Sequence, residues 1–223
     1  MPSISTLVTD PDAFFRDRSE SPSWVGPALV VTLIAILGVV AGVIRIRTMG
    51  QIFERIMADA GGGADATGFF QAFQLAGIVI GFVVTYVVWL LYGAYFYGAS
   101  ALFDGTGKFT TTLKLVGWGF VPSLVGSLLN LLIVVYRFRI RGFDVPSNLS
   151  GQAAAQYMQQ VNSGPLVTLA AVLGIVFTLW SGLLWTFAVK HARQLSTRNA
   201  AITVVLPVLI GLGVGGFAVF NAL

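Results

Sequence analysis

The sequence has no cysteine, a single histidine and few charged residues, and each shortage excludes a class of function. Without cysteine there are no disulfide bonds, thiolate zinc sites or cysteine nucleophiles. The one histidine, His191, lies among basic residues with no second metal ligand near it, so we expect a structural or solvated role rather than a zinc site. Charged residues make up 10% of the chain, against about 25% in soluble domains, so a soluble enzyme is not expected.

Ionisable side chains are also missing from the interiors of the long apolar runs. Lys114 lies at the edge of the third run and not inside it. Proton-coupled transporters, ion pumps and intramembrane hydrolases use buried ionisable groups, so all three classes are disfavoured. We therefore predict no catalytic residue, no cofactor and no metal. A channel lined by backbone and hydroxyl groups stays compatible with the sequence.

Apolar sequence is abundant, since hydrophobic residues make up 56% of the chain and fall in long runs. Runs of about 18 or more apolar residues can cross the hydrocarbon core of a bilayer. We predict an all-α, polytopic transmembrane helical bundle of five spans, residues 24–223, preceded by a polar head, residues 1–23. The head is acidic, unlike a signal peptide, so the first span is expected to stay in the mature chain. The predicted spans cover about residues 24–44, 73–103, 113–136, 165–189 and 201–223.

Short amphipathic helices are predicted at the membrane surface on either side of the first span. Asp10 and Pro11 are typical of a helix start, and Phe14 and Phe15 would then dip into the interface. A solvated, disordered tail is the alternative for this head. Trp24 suits the interface at the start of the span. After the span, apolar residues spaced by three and four, among them Phe53, predict a second interfacial helix that ends at residues 61–63, three glycines.

Small residues at a spacing of four predict close approach of helix backbones inside the spans. The alternative for these residues is an interface between subunits. Asn130 is the most costly polar group in the spans and needs a partner on another helix. Proline inside the third and fifth spans, at Pro122 and Pro207, predicts helix kinks. The predicted packing residues are Gly38, Gly42, Gly77, Gly81, Gly119, Ser123, Ser127, Asn130, Gly211 and Gly215.

An aromatic face in the second span allows two interpretations. Tyr86, Trp89, either Tyr92 or Gly93, and Phe96 fall on one side of the predicted helix. Packing against a neighbouring helix is the commoner cause of such a face, and a groove for a lipid or ligand is the alternative.

The formal net charge of +4 is explained by anionic lipid headgroups better than by nucleic acid, because the basic residues flank the apolar runs. They divide almost evenly between the two faces of a five-span chain, so charge does not fix the orientation. Asn148 begins an N-glycosylation sequon, which slightly favours an outside position for that loop.

The order of several short motifs resembles the Yip family, the Ypt/Rab-interacting five-span membrane proteins, in its prokaryotic form. The matching stretches are residues 10–15 (DPDAFF), 105–109 (GTGKF), 117–122 (GWGFVP), 184–189 (LWTFAV) and 195–201 (LSTRNAA). The resemblance implies five spans, a cytoplasmic N-terminus and an exterior C-terminus in a cell membrane. Eukaryotic members act in vesicle trafficking and bind small GTPases. This chain lacks their long N-terminal region and their Asp-Leu-Tyr-Gly-Pro type of motif, so binding of a small GTPase is not carried over.

The function predicted from the sequence is a non-enzymatic scaffold that organises the membrane through lipid or protein contacts. Its partners would be the bilayer and other membrane proteins or further copies of itself. A channel or transporter for a neutral or lipid-like solute is the alternative, and an enzyme ranks below both.

Overall fold

The structure is a computed structural model that describes residues 4–59, 64–144, 146 and 151–223, and every described element is helical. The predicted end of a helix at residues 61–63 and the sequon at Asn148 lie outside the described residues. A π-helical turn, Tyr136–Arg141, follows α6. The α-helices are α1 (Ile4–Thr9), α2 (Pro11–Glu20), α3 (Val25–Asp59), α4 (Ala64–Ala101), α5 (Phe109–Trp118), α6 (Val121–Val135), α7 (Gly151–Asn162), α8 (Pro165–Arg193) and α9 (Thr197–Ala222).

Five of the helical segments are long and apolar enough to cross a membrane, which confirms the predicted all-α, five-span fold. They are Val25–Met57, Gly68–Ala101, Val121–Arg141, Pro165–Arg193 and Thr197–Ala222. Alternate spans run in opposite directions, and the two termini lie at opposite ends of the bundle. We name these the head end, where α1 and α2 pack, and the tail end, where the amide of Gly164 donates to the carbonyl of Ala222 at 3.3 Å.

The first span is longer than predicted, because α3 continues without a break for 35 residues to Asp59. The segment around Phe53 is therefore an extension of the span and not a separate interfacial helix. Its apolar stripe is used inside the protein, where Ile52 packs with Val161 of α7. The ring of Phe53 stacks on Phe70 of α4 with centroids 4.0 Å apart. An amphipathic pattern does not distinguish a lipid surface from a neighbouring helix, and here the neighbour covers the stripe.

The predicted third span is divided into two helices, α5 and α6, by a turn at Gly119 and Phe120. Pro122 lies in the first turn of α6, so the prediction of a kink inside a continuous helix is wrong. Proline lacks an amide hydrogen and clashes with the preceding turn, so it starts a helix more readily than it continues one. The crossing segment is α6 with its π-helical turn. The shorter α5 stays at the head end among α3, α4 and α8.

The last two spans form a tight antiparallel pair at the head end. The helix α8 ends at Arg193, and Gln194 adopts the left-handed conformation with a φ of 55°. Ser196 then caps α9 by accepting a hydrogen bond from the amide of Asn199. Pro207 lies inside α9, and a bend of the helix there stays a prediction.

Candidate functional site

The N-terminal head is docked on the bundle, and its two phenylalanines are core residues. Asp10 caps α2 by accepting a hydrogen bond from the amide of Ala13 at 3.1 Å. The rings of Phe14 and Phe15 have no exposed surface, and Phe14 meets Trp118 edge to face at 5.3 Å. The prediction that these rings insert into lipid is therefore wrong, because α5 and α8 supply the apolar surface that they cover. The cluster around them consists of Leu7, Val30, Leu115, Trp118, Leu184, Ala188 and Ala192.

An acidic side chain of the head holds α2 against the end of α8. One carboxylate oxygen of Asp12 lies 2.6 Å from Nζ of Lys190 and 2.8 Å from Nε2 of His191. These hydrogen bonds keep the pKa of the Asp12 carboxyl below its ordinary value, and the one from Lys190 has the larger effect. His191 thus has the structural role expected for it. No local pattern in the sequence indicates this pairing, because Asp12 lies far from Lys190 and His191 along the chain.

A buried arginine ties the turn after α4 to the end of α8. Arg193 is 3% exposed, and its Nε donates to Oγ of Ser100 at 2.8 Å. Its terminal nitrogens donate to the carbonyl oxygens of Gly105 and Gly107. Gly107 has a φ of 110°, which favours glycine and turns its carbonyl towards the guanidinium. No local pattern in the sequence indicates that Arg193 is buried, because its partners lie about 90 residues earlier in the chain.

The aromatic face of α4 packs against α5 and α8, as the commoner interpretation of that pattern predicts. Nε1 of Trp89 donates to the carbonyl of Leu113 at 2.9 Å. Nε1 of Trp185 donates to the carbonyl of Val116 at 3.2 Å, and its ring lies 4.7 Å from that of Tyr92. Both tryptophans therefore satisfy backbone carbonyls of α5, which leaves this short helix fixed at the head end.

The predicted packing glycines fall into two groups, those where an added Cβ atom would clash with a neighbouring helix and those where it would meet open space. A Cβ atom at Gly119 would lie 2.1 Å from Trp185, and one at Gly42 would lie 2.9 Å from Ile78. In α9, Gly211 and Gly215 likewise face α8, with Thr178 and Ile175 at 2.8 Å. Each of these four approaches leaves no room for a larger residue.

The prediction of close packing is wrong for Gly38, Gly77 and Gly81, because a Cβ at any of them would have nothing within 4 Å. Regular small-residue spacing does not specify whether the gap is filled by a helix. The small-residue pattern does not include five other glycines that approach a neighbouring side chain closely. They are Gly26 (against Trp118), Gly93 (against Leu113), Gly117 (against Trp89 and Pro27), Gly126 (against Phe177) and Gly182 (against Val208).

The polar members of the predicted packing set are Ser123, Ser127 and Asn130, and all three lie in α6. Oγ of Ser127 donates to the carbonyl of Ser123 at 2.8 Å, so this hydroxyl is satisfied within α6. Both serines line a cavity of about 340 Å³ between α6 and α8. Asn130 has the partner on another helix that it needs, since its Oδ1 accepts from Arg45 of α3 at 3.3 Å.

A larger cavity, of about 530 Å³, lies towards the tail end between α3, α4 and α6. The three glycines with free space line its sides. Arg45 and Arg137 line it as well, and no aspartate or glutamate does among the described residues. We name it the arginine cavity. It is a candidate binding site because two cations, with no carboxylate among the described lining residues, face a space with apolar walls.

The interfacial position of Trp24 stays a prediction. Its side chain is 44% exposed beside the start of α3. Nζ of Lys114 lies 4.8 Å from the Trp24 ring and donates to the carbonyl of Pro22 at 3.0 Å. Within the part of the chain that the structure describes, no cluster of three or more metal-ligating side chains is present.

Comparison with known proteins gives one family and one relative. The model of the Yip1 domain matches residues 4–218, nearly the whole chain. An uncharacterised protein of the archaeon Methanocaldococcus jannaschii is 29% identical over 134 residues, which are 58% of this chain and 86% of that protein. No solved structure matches the chain.

Proposed function

The chain belongs to the Yip1 domain family, and on that premise we propose that it is a non-enzymatic scaffold that organises the membrane through lipid or protein contacts. We place it in the cell membrane as a multi-pass protein, with the N-terminal head on the cytoplasmic side and the C-terminus outside. Binding of a small GTPase is not part of the proposal.

The observation that supports a scaffold is the closed head end. Phe14, Phe15 and Trp118 form one buried cluster there, and α5 fills the space between the longer helices. Charged hydrogen bonds of Asp12 and Arg193 hold α2 and the turn after α4 against the end of α8. A rigid, filled end suits a protein that presents surfaces to lipid and partners, whereas conduction needs a continuous polar path.

The arginine cavity is the observation that favours the alternative, a channel or transporter for a neutral or lipid-like solute. Its volume of about 530 Å³ is within the range of small-molecule sites. The packed head end argues against passage through the bundle, so a transporter would have to move the head away.

Reconstitution into vesicles separates the two functions. For a scaffold we expect glycerol and urea to cross, and lipid to exchange between leaflets, no faster than in protein-free vesicles. We also expect labelled copies in giant vesicles to collect in assemblies or to redistribute labelled lipid. Solute flux or lipid exchange above the protein-free rate would establish the alternative. Single copies dispersed evenly, with no effect on lipid distribution, would overturn the scaffold.

A further inference from the structure

We propose that the arginine cavity is a binding site for a phosphate-bearing anion, and specifically for the headgroup of an anionic phospholipid whose acyl chain lies along the glycine-lined wall. The inference deepens the proposed function, on which it rests, by naming the lipid class that the protein would organise. It follows from the charge, the free donors and the shape of the cavity.

The two arginines lack compensating charge. Among the described residues no carboxylate lies within 4 Å of either guanidinium, since the ion pairs involve other side chains. Asp144 lines a neighbouring cavity together with Arg137 but does not form an ion pair with it. Bringing two cations to one cavity with apolar walls is unfavourable unless an anion accompanies them.

Both guanidinium groups also retain donors for a ligand. A guanidinium has five N–H donors. Arg45 uses one, to Oδ1 of Asn130, and Arg137 uses one terminal nitrogen, which lies 2.7 Å from the carbonyl of Val161 and 3.2 Å from that of Ser163. These contacts orient the side chains, while most of the planar donor face of each stays available for the paired oxygens of a phosphate.

The shape of the cavity favours a lipid over a small free anion. Beyond the arginines, the walls are formed by Gly38, Gly77 and Gly81 together with aliphatic residues of the same helices. A cavity of about 530 Å³ is far larger than an inorganic phosphate requires. An amphipathic ligand with an anionic head and a hydrocarbon tail matches both parts of the wall.

The surrounding charge points in the same direction. Arg47, Arg55, Arg139 and Arg141 lie at the tail end near the two cavity arginines. Basic clusters of this kind, next to a pocket between transmembrane helices, attract anionic lipid headgroups. The tail end therefore both concentrates anionic lipid and offers it a shaped site.

The test is lipid binding to the purified, delipidated full-length protein, followed by native mass spectrometry and thermal unfolding. Phosphatidylglycerol, phosphatidylcholine and inorganic phosphate are added in separate arms. We expect one phosphatidylglycerol per chain, held roughly tenfold or more tightly than phosphatidylcholine, and a higher Tm with phosphatidylglycerol.

Two variants and a matched control locate the site. Arg45→Gln keeps a donor for Asn130 but removes the charge, and we expect it to weaken phosphatidylglycerol binding roughly tenfold. Gly81→Leu fills the wall without meeting another atom near its Cβ, so it should reduce lipid occupancy and preserve the Tm of the lipid-free protein. Arg198→Gln removes the same charge at an exposed position in the first turn of α9, at the head end and away from the cavity, and it should bind as the unmodified chain does.

Each outcome decides the proposal. Equal binding by the unmodified chain and Arg45→Gln, or equal retention of the two phospholipids, would overturn it. If inorganic phosphate alone raises the Tm and competes with phosphatidylglycerol, the site is an anion site but the lipid assignment is wrong. If the protein assembles in giant vesicles but shows no lipid selectivity, the lipid site is contradicted and the scaffold is not. If it binds phosphatidylglycerol selectively but does not assemble or redistribute lipid, the scaffold is contradicted and the lipid site is not.

Discussion

At the scale of single residues, the stability lost when a glycine is replaced depends on which atoms the new Cβ would contact. Gly119 faces the indole of Trp185 at 2.1 Å, whereas Gly77 faces open space in the arginine cavity. Both residues lie in sequence patterns that predict close helix contacts, so the pattern alone cannot separate them. The separation comes from which helix face meets a partner, which is a property of the whole bundle.

The pair Gly119→Leu and Gly77→Leu tests this distinction. Gly119→Leu should force Trp185 away from α5 and destabilise the protein by about 1–3 kcal/mol, which lowers the Tm in detergent. Gly77→Leu should leave the Tm unchanged or slightly higher, because leucine favours a helix and nothing obstructs it. Equal losses of Tm in the two variants would contradict the packing around Gly119.

The contact between Asp12 and α8 predicts a pH-dependent contribution to stability. Because the pKa of Asp12 is lowered in the folded protein, the contribution is complete above the unfolded pKa of about 4 and is lost as the pH falls through the folded value. Asp12→Asn should therefore lower the Tm at pH 7, by the equivalent of up to about 1 kcal/mol for such a partly exposed pair. The difference from the unmodified chain should shrink below about pH 4.

Asp17→Asn is the matched control, since Asp17 pairs only loosely with its neighbour Arg16 at 3.7 Å on an exposed surface. A Tm for Asp12→Asn that equals the unmodified value at pH 7 would mean that the head is not held by this ion pair.

At the scale of helices, the sequence predicts which segments are helical and apolar but not what covers each face. The runs of apolar residues identify all five spans, because only long helices satisfy backbone groups in lipid. The amphipathic pattern predicts that the stripes through Phe14 and Phe53 face lipid, but both pack on protein instead. Apolar periodicity reports burial and carries no information on whether the neighbour is lipid or another helix.

The divided third segment shows a second limit of sequence reasoning. A proline in an apolar run is compatible with a kinked span or with the start of a new helix, and the run is long enough for either. The short α5 is favoured here by specific partners, since Trp89 and Trp185 bind its carbonyls. Such long-range partners leave no local signal in the sequence.

The extended helices α3 and α4 should be joined by a short cross-link between positions 53 and 70. The chain has no cysteine, so Phe53→Cys with Phe70→Cys gives a clean double variant. The stacked rings lie 4.0 Å apart, so a short bifunctional maleimide should link the pair efficiently. Phe53→Cys with Val79→Cys is the control, because position 79 lies roughly 13 Å along α4 from position 70 and on the opposite face of the helix, beyond the reach of a short linker. Equal linking of the two pairs would mean that the extension of α3 lies free on the membrane.

At the scale of the whole molecule, the two ends of the bundle are built differently. The head end is closed by buried aromatic residues and by Arg193, whose donors bind the turn after α4. The tail end holds the arginine cavity and a cluster of exposed arginines. The sequence predicts neither end, because each is assembled from helices far apart along the chain.

The five spans predict that the termini are on opposite faces of the membrane. Reporters that are active on one face only, fused in turn to the N-terminus and to the C-terminus, should give opposite signals. A cytoplasmic signal from the N-terminal fusion supports the proposed orientation. Signals from the same face would contradict an odd number of spans.

The contrast between the packed head end and the cavity at the tail end is the central claim, and one accessibility measurement tests it most directly. Single cysteines are placed at Gln74, which lines the arginine cavity, and at Lys108, which is exposed at the head end. A membrane-impermeant, negatively charged thiosulfonate is then added to one face of sealed vesicles at a time. We predict that Gln74→Cys reacts only from the tail side and Lys108→Cys only from the head side. Reaction of Gln74→Cys from the head side would show a path through the bundle, and no reaction from either side would show a closed cavity; either result contradicts the account.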